Sequence, residues 1–243
     1  MSLSTSLIAG AALSLASAAS ANHIDFIQDD SDPSNGLTNA IFSVSSNNNT
    51  PVTDTQIGEG ADILGGTRTV TVRRDDGFGG SITATKAAGT DFIAVRNDTV
   101  AAGILTLDYL DFEDLDFASR WDSVVVNIDR LFQSTGVGDA EVTIGVRFFN
   151  GMTSEIVFAD RLEASLNPGD QDVIFRFSEY SDIDFTSIDG VSVVFDTNII
   201  GTDFDIGSIT RELVDAAPVP APAAFALFGL GLIGAGALRR KRR

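Results

Sequence analysis

The chain of 243 residues contains no cysteine. That excludes a disulfide framework and any Cys-based zinc or iron–sulfur centre. Histidine occurs once, as His23 near the start, so a His-rich metal centre is excluded and a Ser–His–Asp triad has no well-placed base. No G-x-S-x-G, P-loop or dinucleotide fingerprint is present. Positive charge is scarce as well, with 16 Lys and Arg against 34 Asp and Glu. Five of those bases are the last five residues, so residues 22–217 carry all 34 acids and only eleven bases. The net charge of that stretch is −23, against −18 for the whole chain. A surface of this sign repels phosphates, which excludes nucleic acid as a partner.

What is present is a globular composition, 44% apolar, with 23 glycines and 17 phenylalanines. Abundant Asp and Gly beside Val, Ile, Thr and Phe predict strands and turns rather than helices. Once both ends are set aside, about 195 residues remain, enough for one domain with a real core.

Residues 7–21 read LIAGAALSLASAASA, an apolar run that closes on small residues. This predicts a secretory signal peptide over 1–21, with Ala19 and Ala21 as the A-x-A cleavage site and Asn22 as the first mature residue. The opposite end, 216–243, reads AAPVPAPAAFALFGLGLIGAGALRRKRR. A Pro-rich spacer leads into an uncharged run over 223–238, which as a helix spans about 24 Å. Extended back to Val219 it reaches about 30 Å, the thickness of a hydrocarbon core. The expected transmembrane helix is 221–238, and the basic tail Arg239, Arg240, Lys241, Arg242 and Arg243 would stay cytoplasmic while the acidic domain lies outside.

The order of proline motif, Gly-rich apolar helix and basic cluster resembles the C-terminal sorting signal of the PEP-CTERM family. Val219, Pro220, Ala221, Pro222 and Ala223 carry the resemblance, in a V-P-x-P-A form with Ala221 where the main family has Glu. The resemblance implies a Gram-negative protein handled by an exosortase. It implies an inner-membrane-anchored precursor, cleavage near the proline motif, and a product at the cell surface or in the extracellular matrix.

Between the ends, residues 22–60 are rich in Asn, Ser and Asp and predict a loop-rich start to a β-domain over 22–215. Alternation predicts strands over 67–73, 104–109, 123–129, 172–178, 190–196 and 204–213. The clearest element is 141–148 with 154–158, joined at Asn150-Gly151 as a type I′ hairpin. A short helical turn is expected at 184–188. Regular strand spacing without amphipathic helices predicts an all-β, antiparallel, jelly-roll-like sandwich. The pattern is similar to a group of exported bacterial sandwich domains, some of which serve as carbohydrate-binding modules. Repeated Asp-Phe pairs are expected to place Phe in the core and Asp in water.

Two candidate sites follow. The densest acidic segment holds Asp111, Glu113, Asp114 and Asp116, carboxylates of the kind calcium requires, although the spacing is not that of an EF-hand. The alternative is a solvated acidic face. Among the polar-tipped aromatics, Trp121 is the candidate platform for polysaccharide, and its alternative is a core anchor. Carboxylate-pair hydrolysis needs only Asp and Glu, but no pair can be located by spacing, so no catalytic residue is expected.

Overall fold

Alternation of side chains along each strand decides which faces meet. In the computed structural model, residues 23–27, 42–57, 63–77, 79–87, 89–110, 112–134, 140–164 and 170–213 are described. Among them are fourteen strands and no α-helix. They are β1 (His23–Phe26), β2 (Phe42–Ser46), β3 (Val52–Ile57), β4 (Thr67–Gly77), β5 (Ile82–Lys86), β6 (Ile93–Asn97) and β7 (Ala101–Tyr109). After these come β8 (Ser123–Gln133), β9 (Glu141–Asn150), β10 (Thr153–Phe158), β11 (Leu162–Glu163), β12 (Gln171–Arg176), β13 (Gly190–Asp196) and β14 (Thr202–Glu212). The signal segment, the sorting motif, the expected transmembrane helix, the basic tail and Asp111 lie outside the described residues. Among the described residues no helix is long and apolar enough to cross a membrane.

The strands form two sheets, antiparallel throughout. The first runs β12-β8-β14-β6-β5-β2, with β1 also on β14; the second runs β10-β9-β13-β7-β4-β3, with β11 also on β9. Inward-facing residues of both sheets form one apolar core. It includes Val124, Val126, Phe204 and Ile206 from the first sheet and Leu105, Leu107, Val146, Phe148, Val193 and Phe195 from the second, all fully buried. The all-β sandwich expectation holds at this level. Phe148 lies edge-on to Phe185 (4.9 Å) and Tyr180 (5.0 Å), and Phe177 stacks on Phe185 at 4.1 Å. The Tyr180 hydroxyl donates to the Val146 carbonyl at 2.9 Å, which satisfies the one polar atom this ring brings inside.

Three expectations are corrected. The segment 22–60 is not loop alone, since β1, β2 and β3 fall in it. These strands are short and carry polar outer residues, so only Phe42 and Val44 mark β2 as half-buried. The hairpin loop is Gly151-Met152, one residue later than expected, because Asn150 pairs with Thr153. Asn150 stays in the strand, where its Nδ2 donates to the carbonyls of Ser187 (2.5 Å) and Asp184 (3.2 Å). The expected helical turn at 184–188 is a tight turn, held by the Asp184 carboxylate accepting from Thr186 N and Oγ1.

β1 has a special role. It pairs His23 with Thr210 and Phe26 with Ser208 of β14, so the first and last strands of the domain lie side by side. Asp25 is 1% exposed and accepts from Arg68 Nη1 (2.5 Å) and the Tyr109 hydroxyl (2.6 Å) through Oδ2. A strand a few residues beyond the expected cleavage site thus places a carboxylate inside the sandwich.

Candidate functional site

On β7, β13 and β9 every second residue leaves the core. Leu107 and Tyr109, Val191 and Val193, and Val146 and Phe148 face inward and are fully buried. Asp108, Ser192 and Arg147 therefore face outward, and the register sets them in one row, Ser192 opposite Asp108 on one side and Arg147 on the other. In the adjoining row Gly190 is opposite Phe149, with Leu110 just past the end of β7. A cleft of about 390 Å³ opens there, lined by Leu110, Phe112, Phe149, Gly151 and Asp189.

Glycine makes this arrangement possible. A Cβ on Gly190 would sit 2.8 Å from Leu110 Cδ2 and 3.0 Å from Phe149 Cδ2, so these side chains close over a position that only glycine leaves open. Gly65 has φ +74°, and a Cβ there would meet Phe112 Cβ at 3.0 Å. Asp189 Oδ2 accepts from Gly151 N at 2.7 Å, which fixes the hairpin loop against the cleft. The result is a rim of two half-buried phenyl rings, one leucine and one held carboxylate.

The outer face of the first sheet is organised differently. Asp205, fully buried, is clamped by Arg96 (2.6 Å) and Arg130 (2.5 Å). Those guanidinium groups lie over Phe132 (5.0 Å) and Phe92 (5.4 Å). Beside this clamp, Asn127 Nδ2 donates to Asp170 (2.5 Å) and Asp172 (2.9 Å). Burial, reinforced by Asp170, Asp91 and Asp205, pushes the Asp129 carboxyl above its ordinary range. Its two arginines are committed to Asp205, and the network is a structural brace.

The residues singled out in sequence fall elsewhere. Glu113, Asp114 and Asp116 are exposed, Asp116 Oδ1 accepts from Ser119 N at 2.8 Å, and Leu115 between them bridges to Ile188. Among the described residues no three metal-ligating side chains converge as an ion would require. Trp121 is half-buried, edge-on to Phe117 at 6.0 Å, with the Arg211 guanidinium 4.1 Å over its ring. One face of the indole is thereby covered, and the ring anchors the edge of the core. Tyr109 is fully buried and Tyr180 is 6% exposed, so neither offers a surface platform. Phe112, Phe149 and Arg147, which do face outward, were not marked by sequence, because phenylalanine in strands ordinarily signals core.

Residues 218–243 match the sequence model of the PEP-CTERM protein-sorting motif. No curated protein sequence matches the chain. Solved structures with a similar strand arrangement include the family 11 carbohydrate-binding module of cellulosomal cellulase Lic26A-Cel5E of Clostridium thermocellum. It has 14% identity and a TM-score of 0.34, over 79% of this chain and 97% of that one. The CBM22-1 xylan-binding domain of Paenibacillus barcinonensis Xyn10C has 9% identity and a TM-score of 0.34, over 74% and 97%. A carbohydrate-binding module specific for non-crystalline cellulose has 13% identity and a TM-score of 0.36, over 55% and 82%.

Proposed function

We propose that the chain is an exported cell-surface or extracellular-matrix protein of a Gram-negative bacterium, sorted by an exosortase-type system, with no catalytic role for its β-domain. The observation that carries this is the PEP-CTERM motif at 218–243, just beyond the last strand. In this reading 1–21 opens export. Val219–Ala223 is the recognition element, the helix 221–238 holds a precursor in the inner membrane, and 239–243 stays cytoplasmic. Mass spectrometry of the exported product tests it. The expected species starts at Asn22 and ends near Pro222. A product ending at Arg243 would leave a simple membrane anchor instead.

A second reading gives the domain a task, attachment to exopolysaccharide. It is favoured by the cleft, whose phenyl rings and held carboxylate suit the apolar face and the hydroxyls of a sugar.

A further inference from the structure

The arginines of this domain are almost all committed. Arg68, Arg73, Arg96, Arg130 and Arg161 form ion pairs, and Arg211 is stacked on Trp121 and Phe117. Arg147 is the exception in the middle of a sheet. It is half-buried on the outer face of β9 and has no hydrogen bond or ion pair among the described residues. That is unexpected in a domain with three acids for every base. Asp108, the carboxylate of its own row, is two strands away, about 10 Å between backbones, and makes no ion pair with it among the described residues. Asp108 is likewise without a hydrogen-bond partner among the described residues. Ser192 sits between them at 3% exposure.

We propose that this outer face is a binding strip for an uncharged glycan, with Arg147 and Asp108 as its hydrogen-bonding groups, buried Ser192 as the floor between them, and Phe149, Phe112 and Asp189 as its end pocket. The inference rests on the polysaccharide reading above and assigns it a site and a ligand class. The row offers an unused guanidinium fork and an unused carboxylate, a donor and an acceptor for the hydroxyls of a pyranose. Its width of about 10 Å is close to the length of a disaccharide. The phenyl rings at the end take the C–H face of a terminal or flanking sugar. Charge selects among polymers, because Asp108, Asp189 and the −23 field repel acidic chains.

The test is affinity electrophoresis of the full chain against mixed-linkage β-glucan, xylan and dextran as uncharged polymers, alginate as an acidic one and chitosan as a cationic one. Retardation by at least one uncharged polymer is expected. Arg147→Ala and Phe149→Ser should each weaken it by about ten-fold or more, while Arg120→Ala, an exposed arginine elsewhere, leaves it unchanged. If Arg147→Ala fails to fold by thermal melt, Arg147→Lys answers the question, since it keeps the charge but loses the planar fork and should also weaken binding. Wild-type binding that these variants leave intact would overturn the strip and spare the polysaccharide reading. Binding to alginate or chitosan alone would overturn the ligand class, and no binding to any polymer would overturn both.

Discussion

Asp25 is the place where a single atom decides the stability of the domain. Its Oδ2 accepts from Arg68 at 2.5 Å and from Tyr109 at 2.6 Å, and Asp25, Arg68 and Tyr109 are 1%, 1% and 0% exposed. Burial, then the neighbouring Asp25, pushes the Tyr109 hydroxyl well above its usual range, so it remains a donor. Asp25→Ala removes the carboxylate shared by the Arg68 guanidinium and the Tyr109 hydroxyl inside the sandwich. Removing one partner of a buried pair costs about 3–5 kcal/mol. For a domain of this size each kcal/mol moves the midpoint by about 2–4 °C, so a drop of about 6–20 °C is expected. Differential scanning calorimetry of the wild type, Asp25→Ala and the double variant Asp25→Leu/Arg68→Met makes the comparison. The double variant removes both charges and should recover much of the loss. A fall of less than about 3 °C for Asp25→Ala, or a double variant no better than the single, would refute the claim that breaking the buried pair sets the cost. The same logic ties processing to folding. A signal cleavage displaced a few residues downstream would remove Asp25 and leave the product as unstable as the alanine variant.

Other outcomes follow from particular contacts. In Gly103→Ala the new Cβ would lie 2.7 Å from the Arg73 carbonyl and 2.9 Å from Ile82 Cδ1. Because backbone must give way, chemical denaturation should show a loss of about 1–3 kcal/mol. Burial pushes Arg211 down to about 10, and its guanidinium covers Trp121, the only tryptophan. Arg211→Ala should therefore shift the intrinsic emission to the red and cost about 1–3 kcal/mol; an unchanged spectrum would remove the stacking claim. Asp129 has a raised folded-state pKa, so its ionisation at neutral pH costs stability that returns as pH falls through that value. Asp129→Asn should be more stable than wild type at pH 7, by up to about 1 kcal/mol once solvent screening is allowed for. The two should converge in denaturation curves taken below about pH 4. No difference at pH 7 would contradict the opposing role of Asp170, Asp91 and Asp205.

The long central strands were legible because their alternation is strong and local. Val142, Ile144, Val146 and Phe148 mark β9 without reference to any partner, and Gly190–Asp196 marks β13 in the same way. Short strands with polar outer faces were not legible. β3 reads VTDTQI, and only its pairing with β4 makes it a strand. The Asp-Phe pairs show the limit of a local rule. Asp116-Phe117 and Asp184-Phe185 put Asp outside and Phe inside, as alternation expects. Asp203 is buried beside buried Phe204, where it accepts from Asn97 N at 2.7 Å, and Asp25 turns into the core because Arg68 and Tyr109 wait there.

The outward strip could not be seen in sequence for a stronger reason. Asp108, Arg147 and Ser192 are separated by dozens of residues and belong to strands β7, β9 and β13, whose spatial order places the last in chain order between the other two. Nothing in composition or spacing reveals that crossover. Nor does the sequence show that an arginine in a strongly acidic domain has no carboxylate partner among the described residues. Arg147 looks in sequence like any polar residue on an alternating strand. It becomes conspicuous only when Arg96 and Arg130, on the other sheet, are seen to hold Asp205 while Arg147 makes no ion pair among the described residues. The net charge therefore misleads when treated as a uniform property of the surface. Across the sheet Arg147 is flanked by Ser192 and Ile156, with Asp108 one strand further on. That face is where an uncharged polymer of hydroxyls would meet both a donor and an acceptor without opposing the field of the domain.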